Sequence, residues 1–313
     1  MLLSDDPITE PEDDLLGHGA LVERLHAHLK DWSYRQGLVI AVSGGAGQGK
    51  TSFKNLLARR LRRGFIVADL NPWYFEEEQD MVEGFLTALS GSLVAELDRS
   101  FADTAGTIVD EVRGKLSVLP AVHVFGFGLD FSKLKPGEKS LDSLWDEMGR
   151  LLEETHKRVV VLLDDLDRLP KPHLLLLVKV IRLWTMSRKI VYVLPFDGAR
   201  MRRNLAEELA AEPDFLRRAI SLEVPLPPIE RGVLDDFWWR HFRALLAAAG
   251  LPAAPESLYP VYRESVAPLI GSLRDAKRHL NALAFAQPWA GPASPGELLA
   301  AEARRVLGPE GSS

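Results

Sequence analysis

Five short apolar runs punctuate the chain: Leu38–Val42, Phe65–Leu70, Val159–Leu163, Ile190–Leu194 and Leu222–Val224. Each is too short for a helix and rich in Val, Ile and Leu, the composition of strands buried on both faces. Between them, apolar residues recur every three or four positions. Val82, Phe85, Leu86, Leu89, Leu93 and Leu97 form one such stripe; Leu141, Leu144, Trp145, Met148, Leu151 and Leu152 form another. These spacings predict amphipathic helices, and a further helix is expected from near Pro172 through Leu183. Strands alternating with helices are the rhythm of a sheet covered by helices. From Val122 to Phe131 the apolar residues alternate instead, which predicts a strand or hairpin.

After Pro225-Leu226-Pro227-Pro228 no strand pattern recurs. Helical patterns cover Val233–Ala248, Glu256–Leu269, Arg274–Ala284 and Glu297–Val306. The expected organisation is therefore a sheet domain over residues 1–228, with an acidic lead-in over 1–20. A helical domain over 229–308 and a disordered tail over 309–313 follow.

Composition narrows the setting. A length of 313 residues fits about two domains. The absence of cysteine excludes disulfides and thiolate metal sites, and makes a reducing, cytoplasmic location the default expectation. The formal charge is −6, which argues against coating nucleic acid through bulk charge. That charge is concentrated: Asp5, Asp6, Glu10, Glu12, Asp13 and Asp14 lie in residues 1–16 without a single Lys or Arg, and the remainder is neutral. The longest uncharged apolar stretch, Leu116–Leu129, is interrupted by Pro120, His123, Gly126 and Gly128, and falls short of the ~20 residues a membrane span needs. The N-terminus is acidic where a signal peptide would be basic.

The sharpest chemical signal is Gly44-Gly45-Ala46-Gly47-Gln48-Gly49-Lys50-Thr51, which satisfies G-x-x-x-x-G-K-[ST]. It directly follows the first predicted strand and precedes a helical pattern (Phe53, Leu56, Leu57, Leu61), the context that makes the motif a phosphate-binding loop. Glycines let backbone N–H groups turn onto a phosphate, and the helix N-terminus adds its positive dipole end. Lys50 is expected to reach the β- and γ-phosphates and the Thr51 hydroxyl to ligate Mg²⁺. The complement is Val159–Leu163 followed by Asp164 and Asp165, a buried strand that delivers two carboxylates to the sheet edge beside the loop. Asp164 is the expected Mg²⁺ partner, through water, and Asp165 the general base for an attacking water. Arg168 has two readings: an arginine finger acting on a neighbouring subunit's nucleotide, or an ion pair with Asp167.

The string Asp164-Asp165-Leu166-Asp167-Arg168-Leu169 resembles the extended second nucleotide motif of the KAP family of P-loop NTPases. Other landmarks agree in order. Ser4-Asp5-Asp6-Pro7-Ile8, with Asp13-Asp14-Leu15-Leu16-Gly17, resembles the family's lead-in, and Asn71-Pro72-Trp73 its asparagine–tryptophan motif. Phe215-Leu216-Arg217-Arg218 before Val224-Pro225-Leu226-Pro227 resembles its segment ahead of a proline turn. Leu273-Arg274-Asp275-Ala276-Lys277-Arg278-His279-Leu280-Asn281 resembles its arginine helix. The chain departs at Ala46, where the family usually has tryptophan, and at Arg218, where it usually has lysine. It also has no membrane helices between the two nucleotide motifs.

The resemblance implies an α/β fold: a P-loop NTPase parallel sheet of the additional-strand (ASCE/STAND-like) type, helices on both faces, and a C-terminal helical lid. It implies ATP as the nucleotide, and the sequence has no guanine-reading Asn/Thr-Lys-x-Asp motif. The expected nucleotide-binding set is Gly44, Gly45, Ala46, Gly47, Gln48, Gly49, Lys50, Thr51 and Ser52, with Leu16 from the lead-in near the adenine. Arg274 is the lid arginine favoured by family position, set against a solvated helix face for Arg274 and Arg278. Asp197 is expected either near the γ-phosphate or capping the next helix. Function is then Mg²⁺-dependent ATP hydrolysis by a conformational switch or motor in a larger assembly. The alternative is a nucleotide-dependent binding module with negligible turnover that recruits a protein or DNA. Expected partners are ATP and a protein or a second copy, with nucleic acid not indicated by bulk charge. His26 and His28, two apart on a helix, point different ways and make no metal site. Arg59, Arg60, Arg62 and Arg63 suit a helix C-terminus better than a nucleic-acid patch.

Overall fold

The computed structural model describes residues 2–31, 37–118, 141–154, 157–184, 189–207, 219–250, 256–286 and 295–308. The expected strand or hairpin over 122–131, the Phe215–Arg218 landmark and the expected tail over 309–313 lie outside the described residues. In chain order the first elements are α1 (His18–Asp31), β1 (Leu38–Ser43), α2 (Lys50–Leu61), β2 (Ile66–Leu70), α3 (Glu78–Glu96) and α4 (Arg99–Val118). Next come α5 (Leu141–Glu154), β3 (Val159–Leu163), α6 (Lys171–Trp184), β4 (Ile190–Phe196), α7 (Gly198–Asn204) and β5 (Leu222–Pro225). The C-terminal part holds α8 (Arg231–Ala248), α9 (Leu258–Val261), α10 (Leu273–Phe285) and α11 (Pro295–Leu307).

The strands form one five-stranded sheet in the order β2-β3-β4-β1-β5, and every pairing is parallel. β4 stands between β1, which leads into the glycine loop, and β3, which ends at Asp164. This inserted strand is the one the additional-strand fold requires. In register, Ile40 lies opposite Val193 and Leu222, and Val161 opposite Ala68 and Tyr192. Because side chains alternate, β1 to β4 each feed two cores. Val39, Ala41, Val161, Leu163, Tyr192 and Leu194 pack with α3 to α7, through residues such as Phe85, Leu89, Val109, Met148 and Leu177. Ile40, Val42, Val160, Leu162, Val191 and Val193 pack on the other face with Leu25 and Leu29 of α1 and Phe53 and Leu57 of α2.

Not every strand is doubly buried. β5 is an edge, and Leu222 is 45% exposed, so its apolar composition reflects β propensity rather than depth. The C-terminal helices enclose a cluster of their own around Trp238, Phe242, Tyr262, Leu280 and Leu299, and Leu3 from the N-terminal arm packs against it. The expected single helix over Glu256–Leu269 is instead three short pieces: α9, a π turn over Tyr262–Val266 and a 3₁₀ turn over Ala267–Leu269. Pro268 has no N–H to continue the α-helical ladder, so the backbone changes pitch where it stands. No helix among the described residues is long and apolar enough to cross a membrane.

Candidate functional site

Since all five strands run the same way, their C-terminal ends share one edge, and the chemistry-bearing residues collect there. Beyond β1, Gly44 N–H continues the sheet by donating to the Phe196 carbonyl (3.2 Å). The loop then folds on itself: Gln48 Oε1 accepts from Gly45 N–H at 2.6 Å. Gly47 and Gly49 adopt φ of 76° and 78°, a region that L side chains enter only at a cost. A Cβ on Gly47 would stand 2.5 Å from Ser272, and one on Gly49 would stand 2.7 Å from His18 Nε2. The helix cap at Gly49 makes no side-chain hydrogen bond, which leaves the first N–H groups of α2 without an internal partner. This backbone cradle fits a polyphosphate.

Lys50 Nζ donates to the carbonyls of Gly44 (2.9 Å) and Gly45 (3.1 Å), so its ammonium lies along the loop. Burial pulls the Lys50 ammonium below the ordinary lysine value, while the carboxylates of Asp167, Asp197, Asp164 and Asp165 pull it back up. Asp164 is 2% exposed at the end of β3. Burial raises its carboxyl above the usual range, Lys54 opposes that shift, Asp165 adds to it, and the Thr51 hydroxyl bonded to it works against it. Thr51 and Asp164 thus present a hydroxyl and a carboxylate side by side. Such hard oxygen donors suit Mg²⁺, which keeps most of its shell as water and phosphate. Among the described residues there is no cluster of three or more His, Cys, Asp or Glu able to cage a metal.

Asp165 has a φ of 57°, the only positive value at a non-glycine residue among those described. Its backbone N–H donates to Asp164 Oδ1 (2.9 Å). Both of its carboxylate oxygens are engaged: Asn71 Nδ2 donates to Oδ2 (3.2 Å), and Arg168 Nε lies 3.0 Å from Oδ1. The pairing of Arg168 with Asp167 is therefore not formed. Asp167 is 5% exposed and turned inward, where it accepts from Asp197 N–H (3.1 Å) and faces Arg200 at 3.9 Å. Arg168 sits on the outer side of the same 3₁₀ turn, and its ion-pair partner among the described residues is Asp165.

An open cleft runs over this edge. It is lined by the lead-in (Asp5, Asp6, Asp14, Leu16), the loop and α2 (Ala46, Lys50, Ser52), the β3 turn (Asp165, Arg168) and the lid helix (Arg274, Lys277). Of the residues singled out from the sequence, Leu16, Ala46, Gly47, Gly49, Lys50, Thr51, Ser52, Asp165, Arg168 and Arg274 line this cleft; Gly44, Gly45 and Gln48 belong to the loop but not to the lining, and Asp164 opens onto an adjoining recess with Thr51 and Arg274. Asp197 caps α7, accepting from the N–H groups of Ala199 (2.9 Å) and Arg200 (3.1 Å), and also lines the cleft. Burial tends to raise its carboxyl, but those two N–H groups and Lys50 outweigh it and the net shift is downward.

Four cleft neighbours were missed. Lys54 sits one turn beyond Lys50 and bridges Asp69 (2.7 Å) and Asp164 (3.9 Å); its place after Lys50 on α2 was the available signal. Arg200 follows the cap residue of α7 and lines the cleft. His18 is 1% exposed, packed edge-on against Phe53. Asn71 had been noted as a landmark without a role. The arginines at the end of α2 are in ion pairs: Arg59 with Glu10, and Arg60 with Glu23 at 2.6 Å.

A nucleotide-phosphate loop, a strand-end carboxylate pair and a sheet with one strand inserted between them define a P-loop NTPase of the additional-strand class. The KAP family P-loop domain matches residues 20–290, and the chain belongs to that family. No curated protein sequence matches the chain significantly. Among solved structures, the Walker-type ATPase PABY2304 of Pyrococcus abyssi is similar in fold, at 16% identity and a TM-score of 0.50, covering 96% of this chain and 75% of that one. The Aeropyrum pernix ORC2 protein is similar at 14% identity and a TM-score of 0.46, covering 96% and 70%. The Aeropyrum pernix ORC1 protein, solved in complex with DNA, is similar at 17% identity and a TM-score of 0.44, covering 94% and 67%.

Proposed function

We propose that this chain hydrolyses ATP with Mg²⁺ and acts as a conformational switch or motor in a larger assembly. The observation that carries this reading is the convergence of Lys50, Thr51 and Asp164 beneath a glycine cradle, with Asp165 next in line. Lys50 and the backbone of Gly44–Thr51 would hold the triphosphate, with Ser52 beside it and Leu16 at the base end. Thr51 and Asp164 would hold Mg²⁺, which when bound supplies charge neutralisation to the β- and γ-phosphates. Asp165 would orient a water and accept its proton, and Arg274 from the lid would neutralise charge on the transferring phosphoryl group. Arg168 would act in the same way on a neighbour's nucleotide if copies assemble.

A second reading has its own support. Because Asn71 and Arg168 occupy both oxygens of Asp165, the base is engaged in the resting arrangement. A module that binds ATP, turns over negligibly and recruits a protein or DNA partner would keep it so. Steady-state phosphate release separates the two. For an ATPase, wild type releases phosphate, Lys50→Ala loses both binding and release, and Asp165→Asn binds ATP but falls at least ~10²-fold in rate. Equal inertness of wild type and Asp165→Asn, with ATP bound by both, would leave only the binding module.

A further inference from the structure

The acidic arm ahead of α1 is not a free tail. It lies as an extended strap joining the lid to the phosphate-loop helix. At one end the Leu3 backbone is held by the lid: Leu3 N–H donates to Asn281 Oδ1 (2.7 Å), and Asn281 Nδ2 donates to the Leu3 carbonyl (2.8 Å). Farther along, Ile8 is held by α2: its N–H donates to Ser52 Oγ (3.3 Å), and Asn55 Nδ2 donates to its carbonyl (3.1 Å). Between these anchors Asp5 Oδ2 accepts from Arg274 Nε at 2.5 Å. Arg274 lines both the cleft over Lys50 and the recess beside Thr51 and Asp164. It is two residues past Ser272, the lid residue seated on Gly47.

We propose that Asp5 is a positioning residue that holds Arg274 at the rim of the cleft until a γ-phosphate takes its place. The inference rests on the reading of the cleft as an ATP site. Arg274 has two competing anionic partners: a carboxylate that the strap fixes in place, and the terminal phosphate of a bound triphosphate. A diphosphate ends one phosphoryl group earlier and offers no such competitor. Asp5 therefore lowers affinity for the triphosphate without lowering it for the diphosphate. Moving Arg274 off Asp5 also frees the middle of the strap, so that lid and arm respond together to the γ-phosphate. The pair is about half exposed on both sides, so its strength is that of a surface ion pair.

The test is calorimetric titration of the full chain with Mg²⁺–AMP-PNP and Mg²⁺–ADP. Asp5→Asn keeps the shape of the side chain and removes its charge. The expected result is a two- to five-fold gain in AMP-PNP affinity, about the worth of an exposed ion pair, with ADP affinity unchanged. Asp6→Asn controls for bulk charge, because Asp6 lines the same cleft but its carboxylate accepts from the Ser4 hydroxyl rather than from an arginine. It is expected to shift both nucleotides equally. In an Arg274→Ala background the Asp5→Asn gain disappears, whereas a general effect on charge or arm folding persists. Equal gains for AMP-PNP and ADP, or an undiminished gain without Arg274, overturn the proposal while leaving the nucleotide site intact. Failure of wild type to bind either nucleotide would instead remove the ATP reading itself.

Discussion

Lys54 provides the most exacting test of how the site is held together. It is 8% exposed on α2, with its ammonium 2.7 Å from Asp69 Oδ1, 3.0 Å from Asp69 Oδ2 and 3.9 Å from Asp164 Oδ2. At an effective dielectric of ~20, the gross attractions are about 6 kcal/mol to Asp69 and about 4 kcal/mol to Asp164. Desolvating the ions costs several kcal/mol each, so the net value of the trio is far smaller than the sum. Removing only the cation is a different matter, because Asp164, 2% exposed, is left without its compensating charge. Lys54→Met preserves the stem and should destabilise the chain by about 3–5 kcal/mol at pH 7. Urea unfolding followed by tryptophan fluorescence would measure it. The loss should also shrink as pH falls. Burial already raises the Asp164 carboxyl, and losing Lys54 raises it further, so the variant's folded state takes up protons before the unfolded chain does. Its stability is regained on acidification towards the ordinary carboxylate range, and the gap from wild type closes. A cost below about 1 kcal/mol, or a gap that stays flat between pH 7 and pH 4, would refute this account of Asp164.

Two further predictions concern the cores. His279 is fully buried in the helical part, where Nδ1 accepts from Trp238 Nε1 (3.1 Å) and Nε2–H faces the Leu299 carbonyl (3.2 Å). Burial lowers its value to about 4, although the Leu299 carbonyl and Glu302 oppose this. Between its ordinary value near 6.5 and about 4, the unfolded chain binds a proton that the folded chain refuses. Stability should therefore fall by roughly 3 kcal/mol across that window, and His279→Gln should lose that component of the pH dependence in denaturation at pH 7, 6, 5 and 4. Tyr192, at the centre of β4, buries a hydroxyl that has no hydrogen-bond partner among the described residues. Tyr192→Phe removes that desolvation cost and should stabilise the chain by about 1 kcal/mol, read as a higher urea midpoint; a clear loss would mean that the hydroxyl has a partner.

Much of this arrangement is written locally. The glycine loop, its strand and its helix are adjacent in sequence, so Gly44–Thr51 could be read as a phosphate cradle from spacing alone. The strand ending in Asp164 and Asp165 was legible for the same reason. The α4 helix was not. Its buried stripe of Ala102, Ala105, Ile108, Val109 and Val112 is diluted by alanines, which carry little hydrophobic signal. The ion-pair partner of Arg168 was not legible either: sequence proximity favours Asp167, whereas Asp167 is buried on the inner side of the 3₁₀ turn and Arg168 pairs with Asp165.

Sequence by itself determined the alternation of strands and helices, the phosphate loop, the paired carboxylates and the acidity of the arm. These depend on periodicity and short spacing, which the covalent chain fixes. Tertiary structure alone decided that β4 separates β1 from β3, that Lys54 joins Asp69 to Asp164, and that Asn71 reaches Asp165. It alone decided that Asp5 meets Arg274 across 269 positions. Such contacts are set by strand order and by the packing of the lid over the sheet edge. No local pattern encodes either.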